Sequence, residues 1–358
     1  PKRIGNIYNE IISIENLIAA DQLARTGKRY TSAMRKWDER WSENINRLHW
    51  LLKEQAYQHG DYQHFTTCTE GKERYISVST WQDRIVHKAF CLVCEPLLNA
   101  KLSHDTFANI KGRGQHLAAK RLKKIIQANT QLYCLKMDIR KFYPSVKKDV
   151  MIRVLNRYVK DKKALWLAQE IVSSSDGLPI GNLTSQLFGN LVLDKLDRRI
   201  RTLGAKYLFR YCDDIVVLDE DKAFLHYLKR ETDDYATGHG LEVKRNWQVF
   251  PVDDRGIDFL TGRIFSTHTR LRKRIKIKCI RQLRRFERHA GDPEYEERWW
   301  ASVSGHLMHA NTKHLIKKWK HEYPNYFERL RNRKAARASA AAQRREEALA
   351  TKLQHPAG

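Results

Sequence analysis

The chain has 358 residues, of which 42% are hydrophobic and 10% aromatic. This composition is too apolar for a wholly disordered chain, and the length suits one large domain or two to three smaller ones. Lys and Arg number 67 against 41 Asp and Glu, which leaves a formal net charge of +26. Such a charge favours a polyanionic partner, because phosphates bound by Lys and Arg release their counterions. Nucleic acid is therefore the first class of partner to consider.

Membrane and secretory signals are absent from the sequence. No apolar run approaches the ~20 residues that a helix needs to span a bilayer, and the N-terminus has no charged region followed by a long apolar core. The six cysteines are scattered, which favours a reducing compartment. Cys91 and Cys94 form one CxxC pair inside an apolar helical pattern, and no second pair completes a zinc site. We therefore expect a cytoplasmic protein without a signal peptide or a membrane partner.

The spacing of apolar residues predicts helices, with strands in the middle of the chain. Helices are expected within roughly the first 60 residues. Further helices are expected over residues 83–98, 117–126, 148–173 and 184–203. Strands are expected over residues 75–78, 132–139 and the two halves of 207–218. This order predicts an α+β fold in which a small antiparallel sheet is backed by helices.

The composition changes near residue 269. Residues 270–288 hold ten Lys or Arg and one acid, with apolar residues interleaved, which predicts a basic helical segment that ends near residue 330. Residues 331–358 are rich in Ala, Arg and Glu and are expected to form a mobile or solvent-facing helix. The basic run is compatible with an ordinary solvated face or with a surface that binds nucleic acid.

Two adjacent acids lie between strand-like halves in the segment Tyr211-Cys212-Asp213-Asp214. The apolar runs on either side predict a hairpin with the acids at its turn. Paired carboxylates beside apolar strands are costly unless a cation sits against them. Mg²⁺ is the natural candidate, because it binds one or two carboxylates together with phosphates and water. By itself, however, such a pair is also typical of an exposed acidic turn.

A further acid, Asp138, ends the predicted strand 132–139, and the aromatic pair Phe142 and Tyr143 follows it. If Asp138 lies beside the hairpin, the carboxylates could hold two metal ions ~4 Å apart. One ion would activate a primer 3′-hydroxyl and the other would stabilise the departing pyrophosphate. The protein would then contribute mainly positioning and charge neutralisation.

These segments resemble, in the same order, the conserved blocks of reverse transcriptases. Asp138 falls on that family's first metal-binding aspartate, and the YCDD segment matches its YxDD box, which carries Asp213 and Asp214. Ile139 is included with the metal-binding positions. Tyr143 matches the aromatic residue that packs beneath the incoming sugar and rejects a 2′-hydroxyl. The resemblance implies an RNA-directed DNA polymerase with a right-hand fold, dNTP substrates and two Mg²⁺ ions, for which Mn²⁺ can substitute.

The resemblance also assigns contacts to other parts of the chain. Residues 83–96 and 107–117 resemble fingers blocks, and residues 240–244 and 256–265 resemble the last palm blocks, including a primer-gripping turn. The implied nucleotide-binding residues are Arg113, Tyr143, Gly181, Gln186 and Lys244. The implied nucleic-acid-binding residues are Arg270, Arg272, Lys273, Arg274, Lys276 and Lys278. Lys244 could equally be an ordinary surface lysine rather than an acid that helps pyrophosphate leave.

One block points to a subfamily. Residues 177–186 read GLPIGNLTSQ and resemble the LPxGNxTSQ box of reverse transcriptases from diversity-generating retroelements, which are carried by bacteria and phages. Gly181 permits close backbone approach, and Ser185 and Gln186 begin a helix that could contact phosphate or base. The resemblance implies copying of a template RNA with errors at adenines, which diversifies a target protein. It also implies a small helical accessory protein, commonly pentameric.

The expected organisation is that of a polymerase hand. N-terminal helices and fingers are expected over residues 1–128, the palm over 129–269, a helical basic thumb over 270–330 and a tail over 331–358, with no RNase H or endonuclease domain. Two other functions stay open: another bacterial reverse transcriptase, serving antiphage defence or a retron-like role, and an RNA-binding scaffold without polymerase activity. The template RNA, the primer and the target gene are not indicated by the sequence.

Overall fold

The computed structural model describes residues 2–27, 30–69, 72–260 and 262–354. Of residues 69, 72 and 345–354 it describes the backbone alone. The chain divides into two compact units. The first unit comprises residues 1–118 and 131–252, and the second comprises residues 119–130 and 253–358.

Among the residues that the structure describes, the first unit begins with five helices, three of which start at a side chain that caps the helix by a hydrogen bond. Ser13 caps the second helix by accepting from Asn16 N, and Thr80 caps the fifth by accepting from Asp83 N, which satisfies amides that have no partner within the helix. These helices are α1 (Tyr8–Ile12), α2 (Ile14–Arg25), α3 (Ser32–Asp38), α4 (Trp41–Lys53) and α5 (Trp81–Asn99). The N-terminal region is therefore helical, as predicted.

A two-stranded hairpin lies between α4 and α5. Strand β1 (Gln63–Thr69) pairs antiparallel with β2 (Lys72–Val78). The sequence analysis predicted part of β2 and missed β1, whose QHFTTCT sequence lacks the alternation of apolar and polar residues that marks a half-buried strand. The pairing with β2 thus forms this strand without help from an apolar face.

The central sheet of the first unit has four antiparallel strands in the order β4-β5-β3-β6. The strands are β3 (Tyr133–Asp138), β4 (Tyr207–Tyr211), β5 (Asp214–Asp219) and β6 (Gln248–Pro251). The remaining helices before residue 252 are α6 (Gln115–Ala128), α7 (Phe142–Ser145), α8 (Lys148–Tyr158), α9 (Lys162–Ser173), α10 (Leu183–Thr202) and α11 (Lys222–Gly238). Helix α11 packs on β3 and β5, and helix α10 packs on β4. The apolar side chains of the sheet therefore pack against helices, and its acids lie at one end of the strands.

One predicted helix is divided in two. The sequence analysis expected a helical stretch over residues 148–173, but α8 ends at Tyr158 and α9 begins at Lys162. Asp161 explains the break, because its carboxylate accepts hydrogen bonds from the backbone amides of Lys163 and Ala164 and so caps α9.

The second unit has its own core. Leu283, Phe286, Trp319 and Tyr326 are buried there. Its strands are β7 (Ile257–Phe259), β8 (Gly262–Ile264) and β9 (Thr269–Arg270), which form one antiparallel sheet. Its helices are α13 (Lys273–Arg288), α14 (Pro293–Leu307), α15 (Lys313–Glu322) and α16 (Pro324–Gln354), together with residues 119–128 of α6, and α12 (Val252–Arg255) precedes β7. Helix α16 begins at Pro324 and continues without a break through residue 331.

The fold class is α+β, as the sequence analysis predicted. Residues 75–78, 132–139 and 207–218 contribute to strands, and the hairpin between β4 and β5 forms where it was expected. In the described parts of the chain, no helix is both long and apolar enough to cross a membrane.

Candidate active site

Two strand ends bring Asp138 and Asp214 together. Asp138 is the last residue of β3 and Asp214 is the first residue of β5, and the antiparallel register pairs them directly. Directly paired residues of neighbouring antiparallel strands have Cβ atoms ~4.5–5.5 Å apart. Asp213 precedes Asp214 in the turn that joins β4 to β5. The sheet therefore places the three predicted aspartates at one end of two neighbouring strands.

A hydrogen bond from Arg210 supports the turn that carries Asp213. Cys212 has a positive φ of 54°, a left-handed conformation that is unfavourable for residues other than glycine. Arg210 Nη1 donates to the backbone carbonyl of Cys212 at 3.1 Å. The Arg210 side chain is fully buried beside Asp197. A buried ion pair thus supports the backbone from which Asp213 projects.

Two lysines neutralise the carboxylates. Lys136 lies two residues before Asp138 on the same face of β3 and donates to Asp214 Oδ1. Lys244 Nζ donates to Asp138 Oδ2 at 2.6 Å, and its backbone N donates to Asp138 O at 2.8 Å. The backbone hydrogen bond fixes the position of Lys244, and its ammonium group pairs with Asp138, which the sequence analysis assigned to the reaction centre.

Two properties of the aspartates favour a divalent cation, although their present arrangement is not a complete metal site. Asp138 Oδ1 is buried and receives no hydrogen bond from the part of the chain that the structure describes. Burial and, next, the neighbouring Asp138 carboxylate raise the pKa of Asp213 to about 7. Two carboxylates pressed together in this way favour a positive ion between them. As they stand, no three or more acidic, His or Cys side chains among the described residues form a group that could hold a metal.

A cavity of about 770 Å³ opens beside the turn. Three of the predicted nucleotide-binding residues line it, namely Tyr143, Gly181 and Gln186. Three cations that the sequence analysis did not single out line it as well, namely Arg74 of β2 and Arg84 and Lys88 of α5. A cavity that combines an aromatic ring with three cations suits a ligand with a flat or sugar-like part and several negative charges.

Tyr143 is held in place by the elements around it. Its hydroxyl lies 3.8 Å from Cys212 Sγ. A Cβ atom added to Gly189 of α10 would lie 3.3 Å from the Tyr143 ring, so α10 packs closely against that ring. Burial raises the pKa of Tyr143 above its usual value, and the hydroxyl stays protonated. The ring therefore forms a fixed neutral wall of the cavity.

Gly181 is required by its surroundings. Its φ is 128°, and an added Cβ would lie 2.3 Å from the backbone oxygen of Ser77 in β2. No side chain fits at that distance. The neighbouring residue Ile180 accepts a hydrogen bond from Ser77 N at 2.9 Å. The GLPIGNLTSQ stretch thus lies directly against the backbone of the β1-β2 hairpin.

Other predicted residues lie elsewhere. Arg113 Nη1 donates to the carbonyls of Ser103 and Thr106 at 2.7 and 3.3 Å, and Arg113 is not among the residues that line the cavity. Ile139 is buried and bridges to Val243. The contact of Arg113 with a nucleotide and that of Ile139 with a metal stay predictions.

The predicted nucleic-acid contacts lie in the second unit. Arg270 belongs to β9 and Arg272 precedes α13, so the basic helix begins at Lys273 rather than at Arg270. Arg272 Nε donates to Asp258 Oδ1 at 2.6 Å. Lys273, Arg274, Lys276 and Lys278 are among the exposed basic side chains of α13, whereas Cys279, Leu283 and Phe286 face the core. Helix α13 therefore presents a cationic face to solvent.

Sequence reasoning missed three features of the site for one physical reason. These features are the cations of Arg74, Arg84 and Lys88, the contact of Lys136 with Asp214 and the support from Arg210. Each of them depends on which strands and helices are neighbours in space. Arg210 alone left a signal, since a charged residue inside the apolar run LFRY predicts a buried partner.

Comparison with known proteins agrees with this geometry. Residues 59–261, more than half of the chain, match the reverse transcriptase (RNA-dependent DNA polymerase) family, and the chain belongs to that family. The α+β fold, with paired acids on adjoining strands, is thus a polymerase fold.

Two relatives show how far the similarity extends. Nuclear intron maturase 1, mitochondrial, of Arabidopsis thaliana is 24% identical over 175 residues, which cover 48% of this chain and 22% of the maturase. Retron Ec73 reverse transcriptase of Escherichia coli is 32% identical over 133 residues, which cover 32% of this chain and 42% of the retron protein. The matched regions span less than half the length of either relative.

Proposed function

We propose that this chain is an RNA-directed DNA polymerase that copies a template RNA into cDNA from dNTPs. The observation that carries this proposal is the cross-strand pairing of Asp138 with Asp214, next to a turn whose residue Cys212 lines a cavity together with Tyr143 and three cations. Membership of the reverse transcriptase family supports the same reaction. A retron protein named as a reverse transcriptase is among its relatives.

The carboxylates of Asp138, Asp213 and Asp214 are the groups that would hold divalent metal, Mg²⁺ or Mn²⁺. When bound, the metal supplies charge neutralisation for the attacking hydroxyl and the departing pyrophosphate. Arg74, Arg84 and Lys88 would bind the triphosphate. Lys244, whose Nζ donates to Asp138 Oδ2 at 2.6 Å, is the proposed source of a proton or a positive charge for the leaving group.

The Tyr143 ring is the proposed sugar selector. Its position is fixed by α10 and Cys212, so it cannot move away from a 2′-hydroxyl without disturbing both. Steric exclusion by a rigid ring predicts a preference for deoxynucleotides. Gln186, which is exposed and lines the same cavity, is the proposed contact to the base pair being formed.

The exposed basic face of α13 is the proposed nucleic-acid surface. Lys273, Arg274, Lys276 and Lys278 carry four positive charges on it, and contacts of this kind make binding strongly dependent on salt. We keep the division into fingers, palm and thumb as part of the proposal, with the palm containing β3 to β6.

At a finer level, we propose that the enzyme belongs to a diversity-generating retroelement. The support is the GLPIGNLTSQ stretch at residues 177–186. This assignment implies cDNA with errors at template adenines and a small helical accessory protein that binds a basic surface. A retron-like role is the second candidate, favoured by the similarity to the retron Ec73 enzyme. An RNA-binding scaffold without polymerase activity is the third.

Primer extension tests these alternatives. The purified chain is given a DNA primer annealed to a defined RNA template, with Mg²⁺ or Mn²⁺ and all four dNTPs, and the products are sequenced. Extension that is lost in an Asp213→Asn variant supports the polymerase. No extension on this template, on a homopolymeric RNA or with the RNA and accessory protein encoded beside the gene would favour the scaffold.

The sequenced products separate the two polymerase roles. Errors concentrated opposite template adenines support the diversity-generating assignment. Accurate cDNA contradicts that assignment and leaves the retron-like role. A repeated copy of the template region near the gene would be independent support for diversification.

A further inference from the structure

The LPIGNLTSQ segment, Leu178–Gln186, alternates between buried and exposed residues at its centre. Gly181, Leu183 and Gln186 are exposed, whereas Asn182 and Thr184 are buried. Thr184 is 1% exposed, and the cavity is lined by its neighbours Leu183 and Ser185 but not by Thr184 itself. A side chain so placed cannot touch a nucleotide in the cavity. Its hydroxyl must serve something inside the protein.

Thr184 contacts a buried histidine. Its hydroxyl Oγ1 lies 2.7 Å from Nδ1 of His87 in α5. His87 is 2% exposed, and its Nε2 lies 3.1 Å from Nε2 of His59. His59 Nδ1 in turn lies 2.6 Å from the carbonyl oxygen of Gly60. Four groups thus form one continuous chain of hydrogen bonds.

With both imidazole rings neutral, the carbonyl oxygen of Gly60 sets the direction of every hydrogen bond in this chain. A carbonyl oxygen only accepts, so His59 Nδ1 carries a proton, and in a neutral ring its Nε2 is then an acceptor. His87 Nε2 then donates to His59 Nε2, which also lies 3.2 Å from the Tyr62 hydroxyl. Burial lowers the pKa of His87 to about 3, so its ring is neutral and its Nδ1 accepts. The Thr184 hydroxyl is the donor.

Two more contacts fasten the same segment. Asn182 Nδ2 donates to the Tyr62 hydroxyl at 2.6 Å. Ser77 N donates to Ile180 O at 2.9 Å. Residues 180, 182 and 184 are thus each tied to a different part of the chain between α4 and α5 or to α5 itself. Thr184 is the one of these three that does not itself line the cavity, whereas Ile180 and Asn182 line it together with Gly181, Leu183, Ser185 and Gln186.

We infer that Thr184, through His87, is a positioning residue that holds the start of α10 so that Ser185 and Gln186 face the cavity. This inference rests on the proposed polymerase function for its kinetic consequence, although the contacts themselves do not depend on it. Loss of the hydroxyl would leave His87 Nδ1 buried without a hydrogen-bond donor. The free-energy cost of that unsatisfied atom would weaken the attachment of α10 to α5. The start of α10 would then sample other positions.

The test compares two threonine variants that each lose one buried hydroxyl. Thr184→Val removes the donor to His87. Thr232→Val is the matched control, because Thr232 is also fully buried and donates to Leu228 O at 2.8 Å within α11, away from the cavity. Thr184→Ser keeps the donor. All three are made in the full chain, and their thermal stabilities are measured first.

Hydrogen exchange gives a readout that is independent of catalysis. In Thr184→Val the backbone amides of residues 186–188 are expected to exchange about tenfold faster than in the unmodified chain, the effect of losing one buried hydrogen bond. Thr184→Ser and Thr232→Val are expected to leave those amides unchanged. Equal protection in all variants, or equal loss in Thr232→Val, would overturn the inference whether or not the chain is a polymerase.

Steady-state kinetics gives the functional readout. Thr184→Val is expected to raise the KM for dNTP by about tenfold with little change in kcat, because a loosened Gln186 weakens nucleotide binding. Thr232→Val is expected to lose about as much thermal stability as Thr184→Val and to keep the KM for dNTP of the unmodified chain. A KM that follows thermal stability across all three variants would contradict the positioning role. Absence of extension by the unmodified chain would instead contradict the proposed function and leave the exchange result standing.

Discussion

Arg210 Nη1 donates a hydrogen bond to the carbonyl oxygen of Cys212, the residue that opens the turn to Asp213. The guanidinium is fully buried, and its Nε contacts both carboxylate oxygens of Asp197 at 2.8 Å. Its other donors reach Thr106 Oγ1 and the side chain and backbone of Asn190. The left-handed conformation of Cys212 is therefore held by a buried cation whose donors are all occupied.

Replacing Arg210 alone is expected to destabilise the protein strongly. Arg210→Met leaves Asp197 buried and unpaired, which typically costs about 3–5 kcal/mol of unfolding free energy. The double variant Arg210→Met, Asp197→Leu removes both charges and is expected to recover most of that stability. Urea unfolding of the two variants measures the difference.

The double variant also separates stability from turn geometry. It lacks the donor to Cys212 O, so primer extension is expected to stay well below that of the unmodified chain even after stability returns. If extension returns together with stability, then Arg210 serves the ion pair alone and the turn needs no support from it.

Asp213→Asn is expected to remove extension while leaving RNA binding intact. The change keeps the volume of the side chain and removes the charge that the metal requires, so extension should fall by more than about a hundredfold. Asp219→Asn at the far end of β5 is the control, because the amide keeps the oxygen that accepts from Asp221 N. Extension assays and filter binding of labelled RNA measure the two properties. A parallel loss of both in Asp213→Asn would contradict the metal assignment.

Tyr143→Ala is expected to admit ribonucleotides. Removing the ring opens space for a 2′-hydroxyl, and the preference for dNTP over the matching rNTP should fall by about 10–200-fold, the range for a steric change of this size. Tyr143→Phe keeps the ring and loses only the contact to Cys212, so it should keep the preference. The measurement is kcat/KM for each nucleotide pair. An unchanged ratio in Tyr143→Ala would refute the selector role.

Gly181→Ala is expected to displace the LPIGNLTSQ segment from β2. The added Cβ would lie 2.3 Å from Ser77 O at a φ of 128°. Gly112→Ala is the control, because Gly112 also has a positive φ, of 78°, but an added Cβ there meets nothing within 4 Å. Gly112→Ala should cost about 1–2 kcal/mol from backbone strain alone. A larger stability loss in Gly181→Ala, with a raised KM for dNTP, is the expected result, and equal losses would contradict the close approach.

Acid is expected to destabilise the protein through His87. Burial lowers the pKa of His87 from 6.5 to about 3, so between these two values the unfolded chain binds a proton that the folded chain does not. Stability from this group is therefore full above pH 6.5 and falls by up to about 1.4 kcal/mol per pH unit towards pH 3. His87→Gln should show a shallower fall in unfolding free energy over the same range. Identical slopes in urea unfolding would contradict a neutral buried His87.

The sequence alone determined the fold class, the order of most elements and the identity of the paired acids. Apolar periodicity reports which face of a helix or strand is buried. Asp138, Asp213 and Asp214 were identified by the resemblance of their segments to reverse transcriptase blocks, because an acidic pair beside apolar strands is by itself also typical of an exposed turn. Local patterns also predicted the hairpin between β4 and β5. Its acids lie next to strand residues that the pattern already identified as buried.

Only the tertiary structure decided the partners of these residues. Strand β1 forms because β2 pairs with it, and the contacts of Lys136 with Asp214, Arg210 with Cys212 and Thr184 with His87 join residues 78, 2 and 97 positions apart. Even the contact between Arg210 and Cys212, which are two positions apart, depends on the left-handed backbone conformation of Cys212. Hydrogen bonds and ion pairs act over a few ångströms in space, so no periodicity in the sequence reports which distant residues the packing of the sheet and α10 brings within that range.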